Sequence, residues 1–530
     1  MRRFSEHASG IVEDAAAARR EKPVAEAPHS MNPRLRLALF LALGALLGIF
    51  IGVEIADEHY AWATVTAVVC FWIFAEWASA APPDAWLLAG AVVGYVVGNR
   101  GFAQTQPAGN LPLLPAEAVL LVSVPAFVVR VAMKRVVGVR KDFLNYAILV
   151  WMLVGTARLP VDLARYGVMA LRDYAMIYYA SFFFISQAFG SSAASVGVLK
   201  RALTLSFVAL LPAVIIVNVS PDFLYNHFTW NGIPLIYHKS DLIATSLAAG
   251  FFWLWTRGNE SGHRFWFLLA GTSLLLIGLM ASPRAAMAAV AVTTALWLLF
   301  RRWRIAAAQV GIVAAASILT LAVLGILGRD IRTSAPYSAY EHAVSIFDPA
   351  GTGTYINGES GDPGDNNRFR IIWWGDVIHE TLETNPVLGM GFGSDLAIRF
   401  LADYDLLSDE NFSARSPHSI VMTVFGRMGI AGLLAWIVVS AGLARMAWRL
   451  IKRGDPDGLG LTSIVCVTWI SACVGVVLEG PMGAVVFWTV AGLANSCALG
   501  VGVPADGAAA PADESSVAKS VLLHTHSSPR

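Results

Sequence analysis

Runs of roughly 18 or more apolar residues recur along this chain, divided by short polar turns, and each is long enough to cross a bilayer core of about 30 Å. Backbone groups in lipid must satisfy one another, so these runs predict helices rather than open strands. They fall near residues 35–55, 61–80, 84–99, 112–133, 142–158, 168–188, 202–219, 241–256, 264–281, 284–300, 305–327, 418–444, 461–478 and 482–501. The expectation is an all-α integral membrane protein of about fourteen transmembrane helices. Residues 1–33 mix Arg and Glu with no apolar run, which reads as a disordered arm rather than a signal peptide. The Ala-, Pro- and Ser-rich stretch 503–530 reads as a disordered tail. The expected organisation is thus the arm, a transmembrane bundle over 34–327, a large loop over 328–417, a second set of transmembrane helices over 418–502, and the tail.

The large loop carries its own pattern. Residues 347–367 are rich in Gly, Asp, Asn and Pro, and a helix is expected over 368–384. There Ile371, Trp374, Ile378 and Leu382 recur at spacings of three and four, with Trp373 and Val377 beside them. Asn366 or Asn367 is placed to cap this helix and Asn385-Pro386 to end it. Two adjacent tryptophans on one face predict an amphipathic helix lying at the membrane surface. A Gly-rich turn follows, then a second short helix over 394–404. A loop of this length with its own structure is usually functional.

Basic residues fix the sidedness. Arg130, Lys134, Arg135, Arg140 and Lys141 share one side with Lys200 and Arg201, Arg257 and Arg264, Arg301, Arg302 and Arg304, and Arg445, Arg449, Lys452 and Arg453. The first turn on the opposite side is acidic, with Glu54, Asp57 and Glu58. The positive-inside rule therefore puts both termini in the cytoplasm, and 220–240 and 328–417 outside, as in a multi-pass protein of a bacterial inner membrane. Composition agrees: 56% hydrophobic, 14% charged, mean hydropathy +0.60. A net charge of +1, held in loops, gives no reason to expect nucleic acid. Cys70, Cys466, Cys473 and Cys497 all sit in apolar runs and read as packing residues rather than a disulfide framework.

Three features carry candidate chemistry. NPVLGMGFG at 385–393 has glycines at alternate positions, which permit tight turning, but no strand precedes it as a dinucleotide fingerprint requires. PHS at 417–419 sets His418 at the outer end of a membrane helix, where an imidazole can accept a proton at neutral pH. SPR at 282–284 sets Arg284 at the outer end of another, joined from the loop by Arg368, Arg370 and Arg415. A guanidinium grips phosphate oxygens with two parallel hydrogen bonds, so these arginines are candidates for a lipid diphosphate. Lys239, with His238 and Asp241, can line the same cleft. Arg172 and Asp173 read as an internal ion pair, and Glu359, Asp362 and Asp365 as solvated acids. No CxxC, HExxH, Walker loop or nucleophile elbow is present.

The order SPR 282–284, RFRIIWW 368–374, NPVLGMGFG 385–393, PHS 417–419 and GIAG 429–432 resembles the O-antigen ligase and polymerase superfamily of bacterial membrane glycosyltransferases, over roughly residues 200–450. The resemblance implies transfer of a glycan from a polyprenyl-diphosphate carrier to an acceptor hydroxyl, on another glycan or a lipid A core, at the periplasmic face. It implies His418 as base, arginines in place of a metal, no cofactor, and inversion at the anomeric carbon. Arg284 and one of Arg368 or Arg370 are the foremost diphosphate ligands, with Arg415 and Lys239 as further candidates; nearby arginines should keep His418 neutral. Three positions depart from the family pattern: Ser419 stands where Asn is usual after the His, Arg427 where an acid or neutral residue is usual, and Pro283 separates Ser282 from Arg284. A transporter or lipid flippase is the competing reading, and a non-catalytic membrane subunit a third. A transporter typically shows internal repeats and midplane charges; no repeat joins the two halves here, and the charges cluster at helix ends and in loops. Ligase and polymerase remain undivided.

Overall fold

A computed structural model describes residues 80–106, 114–280, 283–348, 363–403 and 415–500, with 350, 352, 353 and 355. The chain divides into two units, Met1–Ser79 and Ala80–Arg530, and every described residue lies in the second. The expected helices over 35–55 and 61–80, the arm and the tail fall outside the described residues, as do Glu359 and Asp362.

In chain order the helices are α1 (Pro83–Val93, continued by a π turn over Gly94–Gly98), α2 (Arg100–Gln104), α3 (Pro115–Ala132), α4 (Phe143–Tyr166), α5 (Val168–Tyr178), α6 (Ser181–Phe189), α7 (Ala193–Val219) and α8 (Pro221–His227). A small antiparallel hairpin follows, β1 (Thr229–Trp230) paired with β2 (Ile233–Pro234). Then come α9 (Ser240–Ser261), α10 (Arg264–Ile277), α11 (Arg284–Leu299), α12 (Trp303–Leu327), α13 (Ala335–Ser345), α14 (Pro363–Thr384), α15 (Ile398–Asp403), α16 (Ile420–Arg453), α17 (Pro456–Cys473) and α18 (Pro481–Ala498). Eight spans among the described residues are long and apolar enough to cross a membrane: α3, α4, α5 with α6, α7, α12, α16, α17 and α18. Three shorter apolar helices accompany them, α1 with its π turn, α10 and α11. The protein is a mostly helical, multi-pass membrane protein.

Local chemistry sets many of the boundaries. Asp142, Ser192 and Asp455 accept from the backbone N–H of Leu144, Ser195 and Gly458, capping α4, α7 and α17. Gly454 closes α16 in the left-handed region, at φ +75°. Several helices depart from the expected bounds: α4 runs on to Tyr166, α7 begins at Ala193, and α17 stops at Cys473. The last difference leaves 474–480 as a non-helical connection between α17 and α18. Indoles from α4, α16 and α18 (Trp151, Trp436 and Trp488) meet in the core with ring centroids 5.3–6.5 Å apart. At the other extreme α12 has mean hydropathy 2.6 over its apolar window, none of which is buried; it is apolar on every side, as a lipid-facing helix must be.

The helix expected in the large loop differs in where it starts and in the face it buries. Helix α14 starts at Pro363, so Asn366 and Asn367 lie inside it and neither caps it. Its buried stripe is Trp373, Val377 and Thr381, whereas Ile371, Ile378 and Leu382 are exposed. Trp373 packs with Val377, Met390, Leu396, Ala397 and Phe400 in a separate small core. It stacks on Phe400 at 5.0 Å and donates to the Leu396 carbonyl at 2.6 Å. Trp374 donates to the Pro417 carbonyl at 2.7 Å. Both indole N–H groups are therefore spent within the protein, and α14 is anchored by the loop's own core.

Candidate active site

The segment 415–419 and the connection 474–480 meet at one end of the bundle. His418 has φ +53°, a left-handed conformation that a non-glycine residue adopts only when its surroundings impose it. The surroundings are specific. Its neighbour Pro417 receives the Trp374 indole, and Ser419 caps α16 through Met422 N–H. On either side of the imidazole, Ser416 and Thr423 donate to the two carboxyl oxygens of Glu479, the Thr423 bond being 2.8 Å. The imidazole itself lies against Trp373, ring centroids 5.7 Å apart. Since α16 begins at Ile420, His418 precedes the membrane helix instead of opening it.

Cations converge on this imidazole. Arg284, the first residue of α11 and only 9% exposed, donates to Asn367 Oδ1 at 2.9 Å. Asn367 in turn donates to the carbonyls of Ser345 and Asp348 at 2.7 and 2.9 Å, which fastens α14 to the end of α13. Three residues along α14, on the same face, Arg370 donates to the Val474 carbonyl at 3.0 Å. Arg284 and Arg370 lie close enough to repel each other. Burial, then Arg370, then Lys239 push the His418 imidazole down to about 4. The expected neutral imidazole is thus supported, with burial rather than the arginines as the main cause. Burial, then Arg284, also lower His342, which no sequence signal singled out.

The remaining candidates separate. Arg368 is exposed, on the opposite side of α14 from Arg370. Arg415 donates to the Gly393 carbonyl at 2.8 Å and lies 3.5 Å from Asp395, so it holds the glycine turn. Lys239 reaches His418 electrostatically while pairing with Asp241 at 3.4 Å. His238 faces away, bonded to the Val97 carbonyl at 2.9 Å. Arg172 is exposed, and Asp173 pairs not with it but with the buried Arg427 and the Gly393 N–H. Glu479 was missed: it belongs to no motif, although it is the one acid between Asp457 and the tail. Burial pushes its carboxyl up to about 7, against its Thr423 bond and the charges of Arg427 and Lys239.

The two glycine motifs turn out to be one feature. Helix α16 breaks at Gly429, whose φ and ψ are +62° and −156°. The break frees hydrogen-bonding groups on both sides, and the 385–393 turn satisfies them. Met390 and Gly391 N–H groups donate to the carbonyls of Gly426 and Arg427, at 2.7 and 3.1 Å. Ile430 and Ala431 N–H groups donate to the carbonyls of Pro386 and Val387, at 2.9 and 3.1 Å. A Cβ on Gly389 would sit 2.5 Å from Gly429 N, and one on Gly429 2.5 Å from the Val387 carbonyl carbon and oxygen. Asp162 and Asp173 close the assembly by accepting from Phe392 and Gly393 N–H, at 2.8 and 3.0 Å. The turn is therefore a plug in a kinked helix that fixes the large loop over the bundle.

Among the described residues no three His, Cys, Asp or Glu side chains gather as metal ligands. Among the described residues the site offers a half-buried imidazole, held neutral, with cations around it, suited to taking a proton beside an anionic group. Residues 272–437, which hold Arg284, Arg370, the glycine plug and His418, match the O-antigen ligase family. No curated protein matches the chain.

Proposed function

We propose that this chain, which carries the domain of the O-antigen ligase/polymerase superfamily over residues 272–437, transfers a glycan from a polyprenyl-diphosphate carrier to an acceptor hydroxyl at the outer face of a bacterial inner membrane. The observation that carries this reading is the convergence of Arg370 and Lys239 on the half-buried imidazole of His418, with Arg284 one helical turn away through Asn367.

In this reading Arg284 and Arg370, with Lys239, hold the diphosphate. Their charge stabilises the negative charge that grows on it as it leaves. The acceptor oxygen bonds to the anomeric carbon, and the bond from that carbon to the diphosphate oxygen breaks with its electron pair going to the diphosphate. The acceptor proton passes to His418. One displacement inverts the anomeric centre. The bound diphosphate offsets the field of Arg370 and Lys239, so the imidazole becomes more basic when the donor is present. Glu479 acts as a positioning residue, since its two oxygens hold the chain on both sides of His418. Arg368 lies outside this set, and Arg415 serves the plug.

The test uses purified protein, a polyprenyl-diphosphate-linked glycan and an acceptor glycan. Free polyprenyl diphosphate and an inverted linkage in equal amounts are expected. Transport of the donor across vesicles with no new glycosidic bond would instead favour a flippase. Deleting the gene and analysing surface polysaccharide separates the two enzyme types: uncapped lipid A core indicates a ligase, single-repeat products a polymerase.

A further inference from the structure

At the end of the bundle opposite His418 lies a cavity of about 260 Å³ between α9, α11, α12 and the α16–α17 turn. Its wall combines Trp255, Trp297 and Trp303 with Arg301, Arg302 and Arg304. Arg302 approaches the Gly454 carbonyl at 3.5 Å. Arg301 and Arg304 have no ion pair among the described residues, and the acids at this end are engaged elsewhere. Asp457 takes Lys200 and Arg257, Glu260 takes Arg257, and Asp455 caps α17. Arg301 also holds φ +61°, which folds the α11–α12 turn back toward the cavity.

Orientation in a membrane needs positive charge on a loop, but it needs no cavity and no indole wall. At about 260 Å³ this cavity falls just below the range of about 300–1,000 Å³ typical of small-molecule sites, which makes it small for a sugar chain. Helix α12 rises from it. Its 25 residues span about 37 Å at 1.5 Å each, so Trp303, 64% exposed, stands at headgroup depth. The flank of α12 above is bare apolar surface. Guanidinium groups recognise phosphate oxygens, indoles the interface, and the bare flank acyl chains. We infer that this cavity binds the phosphodiester of an anionic phospholipid whose acyl chains lie along α12, as a site separate from that of the diphosphate donor.

The experiment is native mass spectrometry and thermal unfolding of the full chain with phosphatidylglycerol, phosphatidylcholine or inorganic phosphate. The variant is Arg301→Asn/Arg304→Gln, Asn being tolerated in the left-handed region. Phosphatidylglycerol is expected to bind at least fivefold more tightly to the wild type than to the variant. It should raise the wild-type Tm by several degrees, while phosphatidylcholine and millimolar phosphate do neither. Equal retention of phosphatidylglycerol by both proteins overturns the site. An equal stabilisation by phosphate alone overturns the lipid as its ligand. Should the double variant not fold, Arg304→Gln alone is read the same way, with a smaller loss.

Discussion

Two arginine settings in the bundle differ: Arg130 at the end where the basic loops gather, and Arg284 with Arg370 beside His418. At the end where the basic loops gather, partners are matched. Arg130 grips the fully buried Asp84 with two hydrogen bonds. Arg140 spans Gln187 and Ser496 beside a closed set of amides from Asn145, Gln187 and Asn495. At the other end, Arg370 meets a carbonyl and Arg284 an amide, and both are held near like charge. A matched pair holds a fold; Arg370, whose Nε meets no hydrogen-bond partner among the described residues, keeps a donor for an incoming anion.

Substitutions should divide along the same line. The largest effect on turnover short of His418 is expected at Arg370: Arg370→Lys should lose roughly 100-fold or more in kcat/KM, about the loss seen when one stabilising donor is removed, with Tm little changed. Arg368→Lys should stay within about twofold. Equal losses from both would break the comparison. At the matched end, Arg130→Ala leaves Asp84 buried without its partner and should cost about 3–5 kcal/mol of stability, read by thermal unfolding, with folded protein keeping its turnover. Gly429→Ala combines a backbone conformation essentially restricted to glycine, worth about 1–3 kcal/mol, with a close approach to Val387. It should loosen the plug, lower Tm and expose the 385–393 turn to proteolysis. The smallest effect concerns pH. Glu479 is raised to about 7 from an unfolded value near 4.3, so between these the folded state holds more protons. Stability from this group is full below about pH 4.3 and falls as pH rises through about 7. Glu479→Gln should flatten that slope in Tm by a few degrees.

Much of the membrane-embedded fold is legible in the chain because a bilayer imposes a minimum run of apolar residues. What the sequence conceals is which of two faces turns inward. Arg368 and Arg370 lie about 200° apart on a helix, so only one can face His418, but no local pattern says which. The same ambiguity applies to α14, where Trp373 and Val377 turn into the loop's core while Ile371, Ile378 and Leu382 stay exposed. Arg172 and Asp173 could have been separated by geometry alone, since adjacent side chains on a helix do not face each other. The partnership of the glycine turn with Gly429 depends on a kink in a helix beyond it in the chain. Glu479 acquires its meaning only from Ser416 and Thr423, about sixty residues upstream.

The measurement that bears most directly on the central claim is single-turnover transfer by His418→Ala, in protein shown by thermal unfolding to be folded and by binding to retain the diphosphate donor. The His418 imidazole as base predicts a fall of about 10²–10⁴-fold in the chemical step with donor affinity nearly unchanged. Transfer at the wild-type rate would show that the acceptor proton leaves by another route and that the cations around His418 serve some other purpose.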